Sequence, residues 1–85
     1  MGWYVYMLRC GDGSLYTGYT DDVERRLAVH QSGRGGRYTR SHLPVELAYR
    51  AQLPDKSAAL RREAALKRLS RQEKLALIEN AQKAE

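Results

Sequence analysis

The sequence predicts an α+β fold, with a small three-stranded sheet flanked by helices in the order β-β-α-β-α-α. Three observations predict it. Two aromatic and β-branched runs, Trp3 to Arg9 and Leu15 to Tyr19, flank a turn cluster, as in a hairpin. Val23, Leu27 and His30, and later Leu60, Glu63, Ala64 and Lys67, repeat at helical spacing. Between those helical stretches, Val45 to Ala51 alternates well enough for a third strand.

In chain order, Gly11-Asp12-Gly13-Ser14 supplies the hairpin turn. Gly18 weakens a plain strand, so it marks a bulge or a place where another group approaches the backbone closely. Thr20 or Asp21 can cap a helix over Asp22 to Ser32, with Asp22 and Glu24 in its first turn and Gly33 as its stop. Gly33-Arg34-Gly35-Gly36 reads as a flexible loop. It is no phosphate-binding P-loop, because the Gly-Lys-Ser/Thr ending is missing. A basic segment, Arg37 to His42, leads to Pro44. After the third strand, Ser57 can cap a helix to about Leu69, and Ser70 with Glu73 forms a capping box that starts a last helix. The third strand leaves the sheet antiparallel or mixed.

At 85 residues the chain has room for one hydrophobic core, so residues 1–85 are expected to form a single domain. The longest apolar stretch, Trp3 to Leu8, is too short to cross a bilayer and lacks the marks of a signal peptide. The expected location is the cytoplasm, without a membrane partner. Cys10 is the only cysteine, which excludes an intrachain disulfide and a cysteine zinc site. The net charge is +5, eleven of the fifteen basic residues are arginine, and five arginines lie between Arg25 and Val45 with no acid among them. Guanidinium forks bind phosphate oxygens bidentately, so this bias points to a nucleic acid.

The residues with chemistry fall into three groups. Tyr6 and Tyr16 lie on the two strands of one hairpin, where two phenols can bracket a reactive oxygen or simply pack at a sheet edge. Arg26 and His30, four apart, share the helix face that carries Val23 and Leu27. A charged group at that edge snorkels to solvent, meets an acid such as Glu63, or faces a cleft. Glu63 lies beside an apolar helix face, where a carboxylate needs either an arginine or a divalent ion.

Tyr4-Val5-Tyr6, Tyr16-Thr17-Gly18, Arg26 eight residues past that glycine, His30 and then Glu63 on a later helix together resemble the GIY-YIG endonuclease superfamily. Arg37-Tyr38-Thr39-Arg40, Pro44-Val45 and Ala59-Leu60-Arg61-Arg62-Glu63 are similar to its compact YhbQ-like branch. The resemblance covers nearly the whole chain. It implies a metal-dependent endonuclease that hydrolyses DNA phosphodiester bonds in DNA repair or processing. Tyr6 and Tyr16 then share the activation of water, Arg26 stabilises the phosphate, and Glu63 binds one Mg²⁺ or Mn²⁺. His30 relays a proton, and Gly18 lets the strand pass close to the site. Arg25, Arg37 and Arg40 are candidate phosphate contacts. Such contacts carry no sequence information, so the expected substrate is branched, nicked or single-stranded DNA, with RNA and the oligomeric state left open. Tyr19 stands where some repair nucleases carry a lysine. That missing cation supports an alternative, a nucleic-acid-binding module of the same fold without activity. A purely structural domain would show an Arg26–Glu63 salt bridge instead.

Overall fold

The structure, a computed structural model, describes residues 2–83. Its elements are β1 (Trp3–Arg9), β2 (Leu15–Thr20), α1 (Val23–Gln31), α2 (Arg37–Ser41), β3 (Glu46–Leu53), α3 (Lys56–Lys67) and α4 (Arg71–Lys83). The expected order holds, with one addition. The basic segment before Pro44 folds into the five-residue helix α2, with its Thr39 side turned inward.

The sheet is antiparallel throughout, in the order β2-β1-β3. β1 is central and covered on both faces, so Val5, Met7 and Leu8 are all fully buried. Removing one such side chain from water contributes about 1.5–3 kcal/mol. Alternation along β1 feeds two cores. Tyr6 and Leu8 join Cys10, Val45 and Leu27 of α1 on one face. Val5 joins Ala59 and Leu66 of α3 and Leu77 of α4 on the other. A β-bulge opposite Met7 and Leu8 lets β3 serve both cores. Tyr49 pairs with Met7 and Leu47 pairs with Leu8, so these two β3 residues turn to opposite faces.

The helix ends follow local chemistry. At α1 the cap is Asp22, not Thr20 or Asp21: its carboxylate accepts from the Arg25 amide at 3.0 Å. At the other end of α1, the Gly33 amide donates to His30 and the Arg34 amide to Val29, with Gly33 at φ +84°. This double bond closes the helix in a form that glycine adopts without strain. Ser70 and Glu73 form the expected reciprocal cap, at 2.8 and 3.1 Å. The cap of α3 differs from expectation. Asp55, not Ser57, accepts the Ala58 amide at 2.8 Å, and a carboxylate also suits the positive end of the helix. Ser57 instead accepts from Arg61. No helix among the described residues is long and apolar enough to cross a membrane.

Candidate active site

β1 and β2 pair so that Tyr6 lies opposite Gly18 and Leu8 opposite Tyr16. Tyr6 and Tyr16 therefore share one face, diagonal to each other. Gly18 is the reason they can be neighbours. A Cβ at that position would sit 2.5 Å from the Tyr6 hydroxyl oxygen, so the missing side chain is the space the Tyr6 ring occupies. The β1–β2 register shows no bulge at Gly18, so the close approach is what the sequence signalled.

At the free edge of β2 a cleft of about 440 Å³ opens. Its walls include Tyr6, Tyr16 and Gly18 of the hairpin, Arg25 and Arg26 of α1, and Glu63 of α3. Trp3, Tyr19, Thr20, Asp21 and Lys56, the first residue of α3, complete the lining. Four of the five expected catalytic residues thus line one cavity. The fifth, His30, lies behind it. Its ring is fully buried and joins both tyrosines, with Nε2 hydrogen-bonded to the Tyr6 hydroxyl at 2.9 Å and the ring edge-on to Tyr16 at 5.2 Å. Its Nδ1 is hydrogen-bonded to Thr39 Oγ1 at 2.8 Å.

Burial sets the electrostatics of this pair. It pushes the Tyr6 phenol above its ordinary 10.0, while the Arg26 guanidinium beside it draws it back down and the nearby Tyr16 and Glu63 add to the rise. Burial, with a further push from Arg26, holds the His30 imidazole below its ordinary 6.5. At neutral pH the back of the cleft is therefore an uncharged phenol hydrogen-bonded to an uncharged imidazole.

Arg26 is fixed by the loop that reads as flexible. Its Nη2 donates to the Gly35 carbonyl at 3.0 Å, and Gly35 itself is buried. A Cβ on Gly35 would overlap the His30 ring and crowd its Cα. One glycine therefore aims the guanidinium and leaves room for the imidazole. Glu63, with its side chain 17 % exposed, pairs with Lys67 at 3.6 Å, one turn along α3. Among the described residues no Arg26–Glu63 ion pair forms, so the mark of a purely structural domain is missing.

The outer cations divide. Arg25 reaches the cleft but leans on Asp21 and Asp22, at 3.6 and 4.0 Å. Arg37 and Arg40 are exposed on α2 and do not line the cleft. Lys56 does line it, with Nζ 5.5 Å from the centre of the Trp3 ring. Sequence reasoning gave Lys56, Gly35 and Thr39 no role. Only Thr39 carried a signal, its place inside the Arg37-Tyr38-Thr39-Arg40 motif. The Cys10 thiol is buried and pushed up by that burial, which matches a structural cysteine.

Residues 2–76 match the model of the GIY-YIG catalytic domain. The chain belongs to the GIY-YIG family. It is 57 % identical over 75 residues to the UPF0213 protein of Streptococcus sanguinis, covering 88 % of this chain and 86 % of that one. It is 52 % identical over 75 residues to a UPF0213 protein of Natronomonas pharaonis, covering 88 % of each. The solution structure of the UPF0213 protein BH0048 of Bacillus halodurans superposes with a TM-score of 0.60 at 48 % identity, covering 93 % of this chain and 84 % of the other. These UPF0213 relatives place the chain in the compact YhbQ-like branch of the GIY-YIG family. The GIY-YIG fold is a nuclease fold whose substrate is nucleic acid, and its members generally use divalent metal ions.

The donor set at this GIY-YIG cleft fits one kind of ion. Among the described residues, no three His, Cys, Asp or Glu side chains cluster as a metal cage. Glu63 and Asp21 bring carboxylates to the cleft wall, and Asp21 is already paired with Arg25 at 3.6 Å, which leaves Glu63 for an ion. That suits a hydrated ion of the Mg²⁺ type, which keeps most of its waters and shares a substrate phosphate. It does not suit a structural zinc, which needs four protein ligands.

Proposed function

We propose that the protein is an endonuclease that hydrolyses DNA phosphodiester bonds in the cleft between Tyr6, Arg26 and Glu63. The observation that supports this most is the Tyr6–His30 pair at the back of a cleft whose lining also carries the Arg26 guanidinium and the Glu63 carboxylate. In this reading Glu63 would hold a single Mg²⁺ or Mn²⁺, which would supply positive charge to stabilise the scissile phosphate.

The chain's own residues do the rest. A water oxygen attacks phosphorus and the bond from phosphorus to the 3′ oxygen breaks. Tyr6 accepts the proton of the attacking water as its own proton passes to His30 Nε2. The phenol thus stays neutral, as its burial demands, and no free phenolate accumulates. The leaving 3′ oxygen takes a proton from solvent, and the products are a 5′ phosphate and a 3′ hydroxyl. A positioned base of this kind is worth about 10²–10⁴ in rate. Arg26, aimed by Gly35, meets charge that builds on the equatorial oxygens, worth about 10²–10³ per donor. Tyr16 orients the water from the neighbouring position, and Gly18 keeps the strand clear of it.

Lys56 brings a cation to the cleft that Gly18 also lines, which weakens one of the grounds for a binding-only module. Lys56, Arg25, Arg37 and Arg40 contact backbone phosphates, which favours selection by DNA structure over selection by sequence. Such an enzyme fits the cytoplasm and a part in DNA repair or processing, as a single domain.

The test is a cleavage assay on duplex, nicked, branched and single-stranded DNA and on RNA, with Mg²⁺ or Mn²⁺, comparing wild type with Glu63→Ala. Metal-stimulated cleavage by wild type alone is the expected result. Wild type that never cuts, or a variant that cuts equally well, rules the reading out.

A further inference from the structure

We propose that Thr39 is a positioning residue that holds His30 in the tautomer protonated on Nδ1, so that the Nε2 electron pair faces Tyr6. The inference rests on the proposed proton path from Tyr6 to His30, but it concerns the resting protein and is readable without substrate.

The distances alone allow two arrangements. Tyr6 O–H can donate to Nε2 while Nδ1–H donates to Thr39. Alternatively the whole chain can run the other way, with Thr39 donating to Nδ1 and Nε2–H donating to Tyr6. Arg26 favours the first. A guanidinium has donors and no acceptor, and Arg26 lines the same cleft as Tyr6. On that side the Tyr6 hydroxyl finds no side chain to take its proton. Among the described residues, its one hydrogen-bond partner able to receive the phenolic proton is His30 Nε2. With the Tyr6 proton pointing there, Nε2 carries no proton of its own. A ring that is fully buried, beside a guanidinium and with no carboxylate among its partners, is neutral. Its single proton then sits on Nδ1 and donates to Thr39 Oγ1.

The surroundings are built for that contact. Thr39 is 1 % exposed. It is the only buried residue of α2, and Gly35 packs so closely on His30 that the ring has no room to tilt away. A hydroxyl differs from the carboxylate that orients a histidine in a serine-protease triad. It gives direction without charge, so the imidazole stays a weak base at rest and does not strip Tyr6 of its proton before substrate arrives. This also explains why a five-residue helix interrupts the link between α1 and β3. It carries Thr39 to the ring nitrogen that faces away from the cleft.

The test is ¹⁵N NMR of the His30 ring in wild type, Thr39→Ser and Thr39→Val. It is run at about pH 8, above the ordinary histidine range, with His30 assigned by its loss in His30→Gln. The expected wild-type spectrum shows a protonated Nδ1 and an unprotonated Nε2. Thr39→Ser keeps that pattern, and Thr39→Val moves at least part of the population to the Nε2-protonated form. In the cleavage assay, Thr39→Val lowers kcat about tenfold at unchanged KM, as expected for one lost hydrogen bond, and Thr39→Ser recovers it. A wild-type ring protonated on Nε2 overturns the proposal, as does a Thr39→Val spectrum identical to wild type. If Thr39→Val does not fold, the wild-type and serine spectra still decide. A correct tautomer in a protein that never cuts DNA overturns the nuclease reading and leaves this one standing.

Discussion

Tyr6, His30 and Thr39, at the back of the cleft, are 2 %, 0 % and 1 % exposed and are hydrogen-bonded in a row. Arg25, Lys56, Arg37 and Arg40, at its rim and beyond, are all exposed. Of these, Arg25 leans on exposed aspartates at 3.6 and 4.0 Å. The back wall is over-determined, because strand register, a buried loop glycine and two hydrogen bonds all fix the same ring. The rim is held by contacts that water and salt screen. The back wall can therefore hold a reacting group to a fraction of an ångström. The rim can only attract phosphates and adapt to their spacing. Changes at the back wall should act on the chemical step, and changes at the rim on affinity.

The sharpest way to break this contrast is at Tyr6. Tyr6→Phe keeps the ring in its space over Gly18 and removes the one atom that links water to His30. The expected loss is about 10²–10⁴ in kcat, with DNA affinity measured by anisotropy unchanged. A loss confined to affinity would place Tyr6 with the rim.

Gly35→Ala is the next largest effect. The new methyl meets the His30 ring and backbone, and overpacking of this kind costs about 1–3 kcal/mol. Chemical denaturation should read that loss, and cleavage should fall with it because Arg26 loses its aim. A variant as stable and active as wild type would show that the loop is as loose as its sequence suggests.

The depressed titration of His30 gives a third prediction. Between its folded pKa and the ordinary 6.5, the unfolded chain binds more protons than the folded one. Stability therefore rises with pH across that window and falls as pH drops below 6.5. Asp12, Glu24 and Glu73 have carboxyls held below their ordinary values, so their contribution is lost only below the ordinary carboxylate range, under about 4.5. Thermal melts from pH 7.5 to pH 5 should slope for wild type and lie flatter for His30→Gln. Equal slopes would mean that the ring is not held neutral.

At the rim the effects are smaller. Lys56→Ala should weaken DNA binding a few-fold and lower the salt slope by about one, and Lys56→Arg should restore both. Arg37→Ala should do less, because Arg37 lies outside the cleft. An Arg37→Ala loss that exceeds the Lys56→Ala loss would move the DNA path onto α2.

The same contrast explains what the sequence could reveal. The hairpin, α1 and the last capping box were legible because each rests on local chemistry, such as a turn cluster, a 3.6 period or a reciprocal cap. Tyr6, Tyr16, Arg26 and Glu63 were legible as a set through their family motif and spacing. The bulge that turns Leu47 and Tyr49 to opposite cores depends on β1 and leaves no mark in β3 itself. The α2 helix was hidden because five residues are too few for a period, and because its role is to deliver Thr39 to a ring twenty-four positions from Tyr6. Gly35 looks like any loop glycine until Arg26 and His30 are placed against it. Lys56 looks like an ordinary first-turn lysine until Trp3 comes beneath it.

The most direct test is single-turnover cleavage of one DNA oligonucleotide, with protein in excess and Mg²⁺ present, by wild type, Tyr6→Phe and Lys56→Ala. At saturating protein, Lys56→Ala should reach the wild-type rate, and Tyr6→Phe should remain about 10²–10⁴ slower. A Tyr6→Phe rate equal to wild type at saturation would contradict the account. So would a Lys56→Ala deficit that added protein does not remove.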